Sequence, residues 1–131
     1  MVSTLNVNTY IKKSGDACSR FLDAANKQGY LYGSQTHRDA DRAMTACLVN
    51  GCKAIMLKNG VSFNNTTDED VLYYAINNFP FGNLIGGIKT LGKTWNDAVK
   101  SKNKLFYKQL DCRICNELSE FVEYLIQYIK E

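Results

Sequence analysis

Residues 52–63, CKAIMLKNGVSF, decide the fold class of this chain. They consist of two apolar runs, 52–57 and 61–63, on either side of Lys58-Asn59-Gly60. An Asn-Gly pair between apolar runs is typical of a β-hairpin, because both residues tolerate the positive φ angles of a tight turn. The sequence therefore predicts a small antiparallel sheet built on a hairpin around Asn59-Gly60.

Helical periodicity lies on both sides of this hairpin. Apolar residues recur at helical spacing over residues 8–27 and 36–50, and Gly51 suits a helix stop. Thr67 can cap a third helix that ends before Pro80. Residues 83–91 and 94–99 predict two more short helices, with Gly92 as the stop between them.

The C-terminal segment carries the clearest helical pattern, beginning at a capping Asp111. Its apolar stripe consists of Ile114, Leu118, Phe121, Val122, Leu125, Ile126 and Ile129. Together these segments predict an α+β fold: a helix-dominated single globular domain over residues 1–131, with a small antiparallel sheet and a long C-terminal amphipathic helix.

Length and composition agree with one globular domain. The chain has 131 residues, of which 45% are hydrophobic and 22% are charged, so a second core and disorder are both disfavoured. The net charge of +3 is too mild to indicate nucleic acid by itself. Frequent Lys, Asn, Tyr and Ile indicate an AT-rich genome, which phages and large DNA viruses share with Firmicutes. We keep a phage or viral origin as a hypothesis.

Targeting signals are not found in the sequence. The N-terminus lacks the apolar core of a signal peptide, and no run of 18 apolar residues occurs. We therefore expect a cytoplasmic protein without a membrane partner. In such a reducing compartment the five cysteines are expected to be free thiols or metal ligands.

Four cysteines offer one candidate metal site. Cys47 and Cys52 have C-x4-C spacing, and Cys112 and Cys115 have C-x2-C spacing. Four thiolates can close a tetrahedral zinc site, so structural zinc is the one cofactor considered. The long separation of the pairs favours structural cysteines, and we expect no cofactor.

Residues 87–94, GIKTLGKT, resemble a phosphate-binding P-loop, in which Lys93 would neutralise phosphate and Thr94 would reach magnesium. A nucleoside triphosphatase of this class needs several parallel strands after the loop, and only 37 residues follow Thr94. We therefore interpret Gly92 as a helix stop and Thr94 as a cap. Lys89 and Lys93 remain candidates for a looser anion site.

A second group of candidate ligand-binding residues lies in residues 30–42. Arg38 and Arg42 have i,i+4 spacing, and guanidinium groups favour phosphates and carboxylates. Tyr32 and His37 precede both arginines in the sequence, and they could stack on a base or sugar. A solvated helix edge with local Asp-Arg pairs explains the same pattern without a ligand.

These features favour a non-enzymatic binding protein that engages a phosphate-bearing small molecule or an acidic protein partner. One alternative is an enzyme acting on nucleotide or nucleic-acid phosphates, with His37, Asp39 and Asp41 as acid-base or metal groups. The other is a structural or inhibitory module that binds proteins through Tyr124 and Tyr128 of the C-terminal helix. Assembly into a homo-oligomer is left open.

Overall fold

A computed structural model describes residues 4–130, and over this range the chain forms five α-helices. They are α1 (Thr4–Ala25), α2 (Gln35–Lys58), α3 (Asp68–Asn78), α4 (Gly82–Lys100) and α5 (Lys104–Lys130). Residues 4–130 contain no β-strand, so the predicted α+β class and its antiparallel sheet are wrong.

The predicted hairpin is the C-terminal end of α2. The N–H of Gly60 donates to the carbonyl of Leu57, and the N–H of Val61 donates to that of Met56. These two bonds form the Schellman motif that ends many helices. Gly60 has a φ of 71°, but Asn59 has a φ of −92°, whereas a type I′ hairpin turn needs positive φ at both residues. The Asn-Gly pair therefore stops a helix here.

α4 ends in the same motif without a glycine. The N–H of Lys102 donates to the carbonyl of Val99, and the N–H of Asn103 donates to that of Ala98. Lys102 has a φ of 61°, so it takes the left-handed position that Gly60 takes at the end of α2. Asn103 then caps α5, because its side-chain oxygen accepts the N–H of Phe106.

Two glycines that were predicted to stop helices lie inside them. A Cβ atom on Gly51 would lie 2.5 Å from ring carbons of Phe121 in α5, and one on Gly92 would lie 2.8 Å from Cε of Met44. Both glycines therefore let a large side chain of a neighbouring helix reach the backbone. As a result α2 continues past Gly51 to Lys58, and the two predicted helices around Gly92 are one.

Two other helix predictions are confirmed. The side chain of Thr67 accepts the N–H of Asp70, and α3 ends before Pro80. Four residues of the predicted stripe of α5, Ile114, Leu118, Phe121 and Leu125, are fully buried, whereas Val122 and Ile129 are half-buried and Ile126 is 37% exposed. However, α5 begins at Lys104, so Asp111 lies inside this helix and does not cap it.

The helices pack as a bundle with α3 at its side. α1 and α2 form an antiparallel pair, and α5 packs on both of them. α4 runs antiparallel to α5, and α3 joins α2 to α4. Trp95, Phe21 and Phe121 are the largest fully buried side chains. Of the helices in the described residues, none has the length and apolar character needed to cross a membrane.

Candidate ligand-binding site

An open cleft of about 520 Å³ lies between α2, α3 and α4. Buried Met44, Leu48 and Leu72 give it an apolar floor. The polar and charged side chains that line it are Tyr32, His37, Asp41, Thr45, Asp68, Glu69, Lys89, Lys93 and Asn96. The cleft thus brings together four of the six predicted ligand-binding residues: Tyr32, His37, Lys89 and Lys93.

His37 forms a fixed wall of this cleft. It is only 6% exposed, and its Nδ1 accepts the N–H of Gly33 at 3.1 Å. Because Nδ1 accepts, Nε2 carries the proton and donates to Oδ1 of Asn96 at 2.8 Å. The imidazole also stacks on Trp95, with 5.2 Å between ring centroids. Both ring nitrogens are therefore engaged in holding the ring in place.

Tyr32 extends this aromatic wall towards solvent. Its ring centroid lies 4.8 Å from that of His37, and half of the residue is exposed. Nζ of Lys100 lies 5.8 Å from the tyrosine ring centroid, which is within the range of a cation–π contact. The half-exposed ring can therefore stack on a planar ligand that enters the cleft.

Lys89 and Lys93 stand one helical turn apart on α4, so their ammonium groups can serve one anion. Lys89 lies 4.0 Å from Glu69, but both side chains are largely exposed and such a pair is weak. Asp41, Asp68 and Glu69 supply carboxylates from α2 and α3. Two cations and three carboxylates suit a ligand that has an anionic group as well as hydrogen-bond donors.

The two predicted arginines lie away from the cleft. Arg38 turns back on its own loop, where it donates to the carbonyl of Gly33 at 2.8 Å and to Oε1 of Gln35 at 3.0 Å. Arg42 lines a separate groove of about 750 Å³ between α1 and α2, together with Asp39. Neither arginine lines the cleft, although both are exposed one turn apart on α2, and Asp39 lines the groove whereas His37 and Asp41 line the cleft.

The candidate zinc ligands are also dispersed. Cys47 and Cys52 are buried, Cys115 is partly buried and Cys112 is exposed. Within residues 4–130 no three His, Cys, Asp or Glu side chains lie close enough together to hold a metal ion. Burial raises the pKa of Cys52 to about 12, so this thiol stays protonated and packs as a small apolar group.

The segment that resembles a P-loop is the middle of α4. Its backbone amides are used in the helix, and the hydroxyl of Thr94 donates to the carbonyl of Thr90 at 3.3 Å. Thr94 is therefore not a helix cap, and no loop is present to cradle a phosphate. What remains from this motif is the charge of Lys89 and Lys93.

A second polar cluster, which the sequence did not indicate, lies behind Trp95. Asp111 is 1% exposed and accepts hydrogen bonds from the Tyr30 hydroxyl at 2.6 Å and from Nε1 of Trp95 at 2.7 Å. Lys108 lies 3.1 Å from its other oxygen and also donates to the carbonyls of Ala25 and Lys27 in the chain segment that ends α1. Burial and the Asp111 carboxylate raise the pKa of Tyr30.

The C-terminal helix uses its tyrosines partly within the bundle. The ring of Tyr124 stacks on Phe81 with 6.3 Å between centroids, although the residue is 44% exposed. The hydroxyl of Tyr128 accepts a hydrogen bond from Nδ2 of Asn59 at 3.1 Å. Both tyrosines therefore contact other parts of the bundle: Tyr124 contacts the residue before α4, and Tyr128 contacts the residue after α2.

Comparison with known proteins gives no further guide to function. No protein-family model matches the chain, and no match is found among curated proteins or solved structures.

Proposed function

We propose that this chain is a non-enzymatic binding protein for a small phosphate-bearing molecule with a planar ring, such as a nucleotide. The observation that carries the proposal is the convergence of Tyr32 and His37 with Lys89 and Lys93 in one open cleft. Planar stacking and anion binding are the two interactions that such a ligand needs.

The lining of the cleft suggests how the ligand would lie. Its phosphate would contact Lys89 and Lys93, and its ring would stack on Tyr32. Hydroxyl or amino groups of the ligand would donate to Asp41, and to Glu69 beside Lys89. These carboxylates would repel a protein partner with a large acidic surface, because like charges repel. They therefore favour a small ligand that also carries hydrogen-bond donors.

The engagement of His37 supports binding without catalysis. Its two ring nitrogens are occupied by Gly33 and Asn96, and a general base needs a free nitrogen within reach of a reacting proton. The chain has no other histidine. We therefore assign His37 a positioning role for the aromatic wall.

Isothermal titration with nucleoside monophosphates, the matching nucleosides and inorganic phosphate would test the proposal. We expect a nucleotide to bind more tightly than either of its parts. Lys89→Glu with Lys93→Glu should weaken that binding at least about tenfold, because each lost charge-assisted contact contributes about 1.5–3 kcal/mol. The unfolding free energy should change by less than about 0.5 kcal/mol, since both lysines are on the surface.

Arg38→Glu with Arg42→Glu is the matched control, because it reverses the same number of charges outside the cleft. We expect this variant to bind like the unaltered protein. Loss of binding in the arginine variant alone would move the site to the arginine edge predicted from sequence. Absence of nucleotide binding by the unaltered protein would refute the proposal.

A further inference from the structure

Two chain segments meet at one end of the bundle, residues 24–38 and 98–110, and we call this region the basic end. The N–H of Tyr30 donates to the hydroxyl of Tyr107 at 3.1 Å, and that hydroxyl donates in turn to the Tyr30 carbonyl at 3.2 Å. Lys108 reaches across to the carbonyl of Lys27 at 2.6 Å. The two segments therefore form one surface.

The basic end carries positive charge and no acidic residue. Its two segments hold six Lys and Arg residues and no Asp or Glu, although the whole chain has 16 and 13. The six are Lys27, Arg38, Lys100, Lys102, Lys104 and Lys108. Lys108 pairs with Asp111, which leaves five cations at this end. The rest of the chain has slightly more acidic than basic residues, so positive charge is concentrated in these two segments, which Asp23, Asp39, Asp97 and Asp111 border.

The same end exposes large apolar side chains. Leu31 is 68% exposed, Leu105 is 76% exposed and Phe106 is 40% exposed. Exposed apolar side chains grouped in a region that is poor in acidic residues are a feature of protein-binding surfaces. The basic end thus combines charge with an apolar contact area.

A groove of about 450 Å³ runs through this surface. Leu31, Val99 and Tyr107 provide apolar walls, and Lys102 and Lys104 supply positive charge beside them. A partner that places one apolar side chain in the groove would bring neighbouring acidic residues within reach of both lysines.

We propose that the basic end binds an acidic protein segment that inserts an apolar side chain into this groove. The positive charge favours an acidic partner. The apolar groove favours a protein segment, which can insert a side chain, over polyanions that have no such side chain. A nucleic acid would use the lysines but would leave the groove and Leu105 without a role. A flat bilayer surface would not fill the groove. The groove shares no lining residue with the ligand cleft, although Tyr32 and His37 of the basic end line that cleft.

The test uses fluorescence anisotropy with a labelled twelve-residue peptide in which Glu alternates with Leu. We expect binding that weakens as salt is raised, because screening acts on exposed charges. A peptide with Ser in place of Leu should bind at least about tenfold more weakly, since one buried leucine contributes about 1.5–3 kcal/mol. Lys102→Glu with Lys104→Glu should weaken binding of the Leu peptide to a similar extent.

Two control variants separate the explanations. Leu31→Ser with Leu105→Ser should lower the affinity for the Leu peptide. The circular dichroism of the variant protein should be unchanged, since both side chains are exposed. Lys89→Glu with Lys93→Glu changes two charges in the cleft and should leave peptide binding intact.

Three results would overturn the proposal: no preference for the Leu peptide over the Ser peptide, equal peptide affinity in the lysine variant, or tighter binding to single-stranded RNA or to phosphatidylglycerol vesicles. The last of these would assign the basic end to nucleic acid or lipid.

Discussion

Trp95 separates two polar clusters that satisfy their hydrogen bonds in different ways. Behind it, the indole N–H, the Tyr30 hydroxyl and Lys108 all converge on the buried Asp111. In front of it, the indole face supports His37 at the wall of an open cleft.

In the cluster behind Trp95, which we call the closed cluster, the charges of Asp111 and Lys108 pair with each other. In the cleft, most of the charged side chains face solvent. Burial of polar groups is tolerated only when they are paired, and a partly exposed set of charges has capacity left for a ligand. The closed cluster should therefore determine stability, and the cleft should determine recognition.

The largest effect is expected from Asp111→Asn. The amide oxygen can still accept from the Tyr30 hydroxyl and the indole N–H, but the amide NH2 takes the place of the carboxylate oxygen that faces Lys108. Lys108 then loses its counter-charge and meets a second donor. We expect the free energy of unfolding to fall by about 3 kcal/mol, measured by urea denaturation. Asp97→Asn, an exposed control in α4, should change it by less than about 0.5 kcal/mol. An equally small change in Asp111→Asn would remove the distinction between the two clusters.

His37→Leu should have an intermediate effect on stability. Leucine retains an apolar contact with Trp95 but leaves the Gly33 N–H and Asn96 without their partner, which costs about 1–2 kcal/mol in unfolding free energy. Thermal and urea unfolding would measure it. Tyr32→Leu is the companion variant: it should leave stability within about 0.5 kcal/mol and weaken nucleotide binding. If Tyr32→Leu destabilised the fold more than His37→Leu, the cleft wall would be structural throughout.

The smallest effect appears only at alkaline pH. Burial and the Asp111 charge raise the pKa of Tyr30 above its ordinary value of 10, and burial raises that of Cys115 from 9 to about 11. In both cases the unfolded chain loses its proton first. The stability from these groups is therefore complete below pH 9 and declines as pH rises through 9 to 11 for the thiol and above 10 for the phenol.

Urea denaturation at steps from pH 8 to pH 11 would follow this decline. Cys115→Ala should reduce the part that begins near pH 9, to which the raised pKa values of Cys47 and Cys52 also contribute, and should leave the part due to Tyr30. A stability that stays constant up to pH 11 would contradict the burial of this phenol beside Asp111.

Local sequence signals predicted helical features correctly where those features depend only on residues of the same segment. The Thr67 cap and the apolar stripe of α5 were predictable, because capping and periodicity are properties of one segment. Gly51 and Gly92 were misread, since a glycine that ends a helix and one that admits Phe121 or Met44 look the same in sequence. The partner helix makes the difference, and its position is not encoded locally.

The candidate site was predictable in part for the same reason. Tyr32 and His37 were found by their chemistry, and Lys89 and Lys93 by their spacing, but only the packing of α4 against α2 joins them. Asp68 and Glu69 of α3 were not predicted to line the site. Asp111 was interpreted as a cap because nothing nearby in sequence reveals that Tyr30 and Trp95 surround it.

The end of α4 shows how function and folding can be opposed at one residue. Lys102 has a left-handed backbone that costs an ordinary side chain about 1 kcal/mol more than glycine. A search for thermostable variants would therefore select Lys102→Gly, which removes a cation beside the groove of the basic end. Such a variant would be more stable and, under the proposed role of the basic end, would bind an acidic segment less well, so selection for heat resistance alone would weaken that binding.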